Sequence, residues 1–320
     1  MRNYEAVFAE LLTDFVVFKH SLGYKYDAEA DELYRFSKFS TTFKISEPKL
    51  SKDMVQTWSA KRPNEGNKNN RRRISTLRQF ALYLNSIGQQ AYIPPPSLNT
   101  RYYTYIPYIF THSEIERIFV NSDQLCPRRF STIPIVIPVI LRILYSCGLR
   151  ISEAVNLQNR NVDLKEGILK IKDSKFGKDR LVPMSQSMVH ICRQYYQVLH
   201  NYSSIDDYFF MKSNRQPLTR DNVYRRFREI LWESGISHGG KGSGPRLHDL
   251  RHTYAVHVLK RAVDRGIDVY CALPILSTYL GHASVEATSQ YVRLTADAFP
   301  EICAALDHTC GHVIPEVVWE

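Results

Sequence analysis

The chain has 320 residues, 44% of them apolar, enough for about two domains with cores of their own and too many for a disordered or fibrous polymer. Lys and Arg outnumber Asp and Glu by 42 to 32, and the resulting net charge of +10 favours a polyanionic partner. The six cysteines (Cys126, Cys147, Cys192, Cys271, Cys303 and Cys310) include no C-x-x-C pair, so they read as reduced thiols and exclude a disulfide-stapled secreted framework.

Glu5, Glu10 and Asp14 interrupt the start of the chain, which therefore does not read as a secretory leader. Phe8, Leu11, Leu12, Phe15 and Leu22 fall on one face of a first helix that Gly23 stops. Two further helices are expected over 27–43 and 51–60. A fourth carries the apolar stripe Ile74, Leu77, Ala81 and Leu84 and ends before Gly88. Arg71, Arg72 and Arg73 occupy its first turns, Arg78 follows, and Lys61, Arg62 and Lys68 lie just upstream. Such a run is ordinarily a solvated face. Here Glu65 is the only acid between 61 and 78, which turns the reading toward a surface that tracks phosphates.

Ile93-Pro94-Pro95-Pro96 and the Tyr-rich stretch up to Phe110 suggest a stiff linker over 92–107. Thr111 and Glu114 have the spacing of a capping box. Helical patterns follow at about 134–147, 186–200, 219–234, 247–262, 272–280 and 284–293. The most apolar segment, Ser131 to Leu149, contains Pro134, Pro138 and Arg142. An arginine at a bilayer centre costs roughly 2.5–3.5 kcal/mol, so a buried helix is expected. With no membrane span, the chain is expected to be a soluble cytoplasmic protein. Gly167 to Val182 alternates around Ser174-Lys175-Phe176-Gly177-Lys178 and reads as a β-hairpin. The expected fold is mainly α: a helical N-terminal domain (1–91), then a mostly α domain (108–320) with a small antiparallel β-sheet.

Four segments concentrate ionisable groups. In Arg150-Ile151-Ser152-Glu153 the acid lies three residues from the arginine, close enough to hold its guanidinium; a structural ion pair is the competing reading. Lys175 and Lys178 flank the hairpin turn, from which a cation can enter a groove beside a bound backbone. In Leu247-His248-Asp249-Leu250-Arg251-His252-Thr253-Tyr254, His248 and Arg251 share a helix face. His248 and His252 also have the spacing of a zinc pair. Arg251 would sit beside the metal, however, and no third ligand offers itself, so neither metal nor cofactor is expected. In the fourth segment His282 follows Leu280-Gly281, Ser284 is a candidate N-cap with Glu286 in the first turn, and Tyr291 lies two turns on. A lone helical tyrosine is ordinarily core. Two arginines, two histidines, a lysine and a tyrosine on a basic chain can nevertheless break a phosphodiester without metal. Planar guanidinium forks neutralise the non-bridging oxygens, an acid protonates the leaving alkoxide, and the phenol attacks in line.

The order Arg150, Lys175, His248-x-x-Arg251, His282, Tyr291 resembles the active-site signature of the tyrosine recombinase (phage-type integrase) family. The strings GLRISE, SKFGKDRLVP, LHDLRHTYAVH and LGHASVEATSQYV carry the likeness over roughly 108–295. Residues 1–91 resemble the family's helical (SAM-like) core-binding domain by pattern. The resemblance implies that Arg150, Arg251 and His282 hold the scissile phosphate. It implies that Lys175, which begins the K-x-x-K-x-R stretch, protonates the leaving 5′-hydroxyl, with Lys178 as fallback. His248 would contact the phosphate and help move the phenolic proton, Tyr291 would form a 3′-phosphotyrosyl link, and Glu153 would support Arg150. DNA contacts are expected from Lys68, Arg71, Arg72, Arg73, Arg78 and Lys178.

Similar proteins recombine two duplexes inside a tetramer without ATP or a required metal, sometimes with a related recombinase as partner. The expected partners are therefore a double-stranded DNA site and further copies of the chain. A tail from about 295, with Phe299, Ile302 and Leu306 at helical spacing, is expected to dock on a neighbour. An arm-binding domain ahead of the helical domain is not expected. The stretch from Arg251 to His282 is longer than in compact members, and its extra residues, around Lys260 to Ala272, are expected in the connection after the His-Arg helix. Two alternatives share part of this pattern: a type IB topoisomerase that relaxes DNA, and a DNA-binding regulator without chemistry.

Overall fold

The computed structural model describes residues 3–96, 106–127, 129–172, 179–239, 244–282, 284 and 286–298. The chain divides into two units, Met1–Thr104 and Tyr105–Glu320. Each has its own apolar core.

In the first unit α1 (Ala9–Ser21), α2 (Asp27–Ser40), α3 (Lys52–Ser59) and α4 (Asn67–Ser86) surround Phe8, Leu12, Phe15, Phe36, Met54, Trp58, Phe80 and Leu84. Aromatic rings knit the four together: Phe15 meets Phe80 at 5.5 Å, and Trp58 stands edge-on to Phe36 at 5.3 Å. The Ser51 side chain accepts from the Met54 amide and caps α3. Leu22, expected on the buried face of α1, is 54% exposed, because α1 ends at Ser21 and Gly23 (φ +82) turns the chain away. The second helix likewise stops at Ser40, three residues short of the expected end.

In the second unit α5 (His112–Asp123) begins with the predicted capping box. Glu114 donates its backbone N–H to Thr111 Oγ1, and its carboxylate accepts from the Thr111 amide at 2.8 Å. α6 (Ile133–Ser146) is buried from Val136 through Leu141 and again at Ile143 and Leu144, which explains its membrane-like composition. Arg142 leaves the apolar surround by donating twice to the Asp123 carboxylate, at 2.8 and 2.6 Å. Among the described residues no helix is long and apolar enough to cross a membrane.

α7 (Ile151–Val155) and a 3₁₀ turn (Asn159–Asn161) lead into an antiparallel sheet of β1 (Val162–Asp163), β2 (Ile168–Ile171) and β3 (Arg180–Pro183), paired in that order. Leu169 opposite Val182, with Ile171, forms the face buried in the core, while Leu181 points outward. The alternation locates β2 and β3; β1, only two residues long, is too short to show a period. α8 (Gln186–Leu199) and α9 (Arg220–Glu233) complete the main core.

The last three helices, α10 (Asp249–Asp264), α11 (Val269–Leu280) and α12 (Glu286–Ala298), share a smaller core of Val256, Leu259, Leu273, Leu276, Leu280 and Tyr291. Their arrangement corrects the expectation for the long stretch after Arg251. The extra residues extend the helices rather than the connection, which is only Arg265–Asp268. Buried Val269 starts the stripe that Leu273, Leu276 and Leu280 continue, and Asp268 caps it by accepting from the Tyr270 amide. The fold is mainly α with one small antiparallel sheet, as expected.

Candidate active site

The site begins where α6 stops. Gly148 takes a left-handed conformation (φ +58), and a Cβ there would lie 2.6 Å from the Tyr254 ring and 2.8 Å from Leu280. Only glycine fits both the turn and the space. The turn places Arg150 at the N-cap of α7, with Glu153 in the first turn. Glu153 accepts the Arg150 backbone N–H at 2.9 Å and its guanidinium at 2.7 Å. Arg150 donates a further bond to the Gly281 carbonyl at 3.0 Å.

Arg251 lies in α10 at 1% exposure and donates to the carbonyls of Gly148 and Leu280, each at 2.7 Å. Burial, then Arg150, pulls its pKa down to about 10, so it stays charged at neutral pH. His248 precedes α10 and presents its ring to solvent beside a cavity of about 330 Å³ whose lining includes Ile151, Arg220, Tyr224 and Arg246. Enough protein still surrounds the ring that desolvation, joined by Arg251 and Arg150, lowers its pKa to about 4. His282 follows the left-handed Gly281 at the end of α11, with Nδ1 2.7 Å from Thr288 Oγ1. Desolvation, Arg251 and Arg150 hold it at about 4.

Tyr291, on α12, is 1% exposed and packs against these groups. Its hydroxyl lies 3.0 Å from His252 Nδ1, and its ring lies nearly parallel to that of His282 at 6.0 Å. Burial raises the phenol pKa, and the nearby charge of Arg251 pulls the other way. Arg150, Glu153, His248, Arg251, His282 and Tyr291 therefore meet in one pocket, all from a single chain. Lys175 and Lys178 lie outside the described residues.

Three more side chains belong to the pocket although the sequence reading gave them no part in it. His252 is the histidine that touches the phenol, and His248, expected to help move that proton, stands one ring away with centroids 4.7 Å apart. Desolvation, then His248 and Arg251, keeps His252 near 3. Thr288 holds His282. Arg180 of β3 binds both oxygens of Glu153 at 3.0 and 2.8 Å. Arg180 is the final residue of K-x-x-K-x-R, a visible signal; His252 and Tyr291 are too far apart in sequence for any local pattern to join them. The zinc spacing of His248 and His252 has a different use, since the His252 ring faces a phenol. Among the described residues no three His, Cys, Asp or Glu side chains converge to hold a metal.

In the first unit the expected DNA contacts separate into two kinds. Lys68 and Arg72 are exposed and Arg71 is half-buried. Arg73 is a correction: it is 2% exposed, donates to Glu65 at 3.0 and 2.7 Å and to the Ala60 carbonyl at 3.0 Å, and packs on Trp58. It lies one helical turn before Leu77, on the buried stripe. Arg78 is half-buried and donates to the Pro94 carbonyl. The bond from Arg73 draws the Glu65 carboxyl down to about 2, so the one acid of the run is already neutralised.

Residues 109–297 match the model of the phage integrase family. The chain belongs to this family. Among phage integrase relatives, an integrase/recombinase of Sinorhizobium fredii, y4rB, is 28% identical over 94% of this chain and 98% of its own. The tyrosine recombinase XerA of Pyrococcus furiosus is 31% identical over 61% of this chain and 60% of its own. The fold is that of the XerH site-specific recombinase, solved as a post-cleavage complex on its palindromic difH substrate. That likeness has a TM-score of 0.62 at 18% identity, over 86% of this chain and 78% of the other. Neither the topoisomerase nor the regulator alternative gains support from these matches.

Proposed function

We propose that this chain is a site-specific DNA recombinase whose nucleophile is Tyr291. One observation carries the reading: the phenol lies 3.0 Å from His252 and is close enough to Arg251 and Arg150 to feel their charge, with the His282 ring 6.0 Å from its own. Arg150 and Arg251 offer charged N–H groups to the non-bridging oxygens of a phosphodiester, and His282, steadied by Thr288, adds a third donor. The Tyr291 oxygen bonds to phosphorus as the P–O5′ bond breaks, giving a 3′-phosphotyrosyl link that keeps the bond energy for resealing. Neutral His252 accepts the phenolic proton at Nδ1, with His248 next to it. Lys175 is assigned the proton for the leaving 5′-oxygen. Nucleophile and arginines come from the same copy, so each copy cuts the strand it binds.

Lys68, Arg71 and Arg72 are assigned phosphate contacts by the first unit, residues 1–91 serving as the core-binding domain and 108–320 as the catalytic one. Two duplexes within a homotetramer, joined through the tail after residue 298, complete the proposed reaction. On a nicked suicide duplex containing the cognate site, Tyr291→Phe is expected to bind as the unaltered chain does and to yield no covalent adduct. Adduct formation at the unaltered rate would overturn the assignment.

A further inference from the structure

Arg180 begins β3, and no step above gives it a task. Its side chain is 8% exposed. Nη1 and Nη2 donate to the two oxygens of Glu153 at 3.0 and 2.8 Å, and Nε donates to the Tyr279 carbonyl at 2.9 Å. The Arg150 guanidinium and backbone N–H reach the same carboxylate at 2.7 and 2.9 Å. Gly281 lies flat on the Arg180 guanidinium, for a Cβ there would come within 2.9 Å of Nη1. Glu153 is thus enclosed between two arginines, and the second of them, Arg180, is held by groups of two other elements, α7 and α11.

The charge balance gives this geometry a consequence. An anion beside a phosphate-binding arginine opposes phosphate unless something cancels it. Arg150, Arg180 and Arg251 bring three positive charges and Glu153 one negative, so two positive charges are left over. A phosphodiester carries one negative charge and the attacking phenolate brings a second, so the five-coordinate phosphorus carries two. Without Arg180 the carboxylate would cancel Arg150 and leave one positive charge to face two negative ones.

We propose that Arg180 is a positioning residue for DNA cleavage: it neutralises Glu153 so that the charge of Arg150 stays available to the scissile phosphate. The inference rests on the phosphate-binding role assigned to Arg150. Arg180 itself need not touch DNA. Its effect depends on two things it does not contact covalently, the charge of Glu153 and the charge of the scissile linkage.

The experiment measures single-turnover adduct formation on the suicide duplex for Arg180→Met, Glu153→Gln and the double variant, with DNA saturating. Arg180→Met is expected to slow the step about 10²-fold, the scale of losing one preorganised electrostatic group. Glu153→Gln removes the charge that Arg180 cancels, so the double variant should react within about threefold of Glu153→Gln alone. That pair leaves no unpaired buried carboxylate, and the comparison holds even if Arg180→Met alone does not fold. A duplex with an uncharged methylphosphonate at the scissile position should shrink the Arg180→Met defect by at least about tenfold. Two results overturn the inference: a double variant about 10²-fold slower than Glu153→Gln, or an Arg180→Met defect of equal size on the charged and uncharged linkages. Absence of any adduct from the unaltered chain would instead strike the recombinase reading, a separate failure.

Discussion

Arg251 is fixed before any DNA arrives. Two of its N–H groups are committed to the Gly148 and Leu280 carbonyls, and the Tyr291 phenol is close enough to feel its charge. Arg251→Ala is expected to lower the rate of adduct formation by roughly 10²–10³. It should also reduce unfolding stability, since each carbonyl left buried without a partner costs about 1–3 kcal/mol. Urea titration and single-turnover cleavage read the two effects separately. The histidines give a second test. Desolvation is the first cause that lowers His248, His257 and His282 to about 4 and His252 to about 3. The unfolded value is near 6.5, so below it the unfolded chain binds more protons than the folded one. Stability is therefore full above about pH 6.5 and declines as the pH falls toward 4. Thermal melts from pH 7.5 to 5 should show a steadily falling Tm; a flat profile would contradict the desolvated, neutral histidines. At this scale the sequence offered Arg150, His248, Arg251, His282 and Tyr291 as candidates because each sits in a local string. It did not show that His252 holds the phenol, a contact made only when α10 packs on α12.

α4 shows how one element can mix two roles. Its N-terminal basic run reads as uniform along the chain, but winding it at 3.6 residues per turn puts Arg73 on the stripe of Leu77, Phe80 and Leu84 and leaves Lys68 and Arg72 outside. The signal was available in the spacing from Arg73 to Leu77, and the charge of the run outweighed it. Arg73→Met is expected to destabilise the chain by about 3–5 kcal/mol, because Glu65 then lies beside a broken buried pair. Arg72→Ala should leave stability nearly unchanged, weaken binding to all duplexes alike and lower the salt slope by about one charge. Loss of binding at a single base position in Arg72→Ala would contradict the phosphate assignment. α11 shows the converse. A four-residue connection and a cap at Asp268 were hidden because Pro274 and the polar residues around Arg265 masked a helix that Val269 and Leu273 anchor.

Across the whole molecule, the catalytic unit was legible in outline because long helices and a capping box announce themselves, whereas β1 and α7 are too short to carry a period. Composition pointed to a polyanionic partner, and the proposed reading is cleavage by a phenol set among guanidiniums. All the described members of that pocket come from one unit of one chain, so the account makes a single central claim about which atom receives the DNA. The most direct measurement is to trap the adduct on a nicked suicide duplex, digest it with protease and nuclease, and locate the attached nucleotide by mass spectrometry. The account predicts a 3′-phosphonucleotide on the peptide of α12, at Tyr291. Attachment to any other residue, or through a 5′-phosphate, would contradict it.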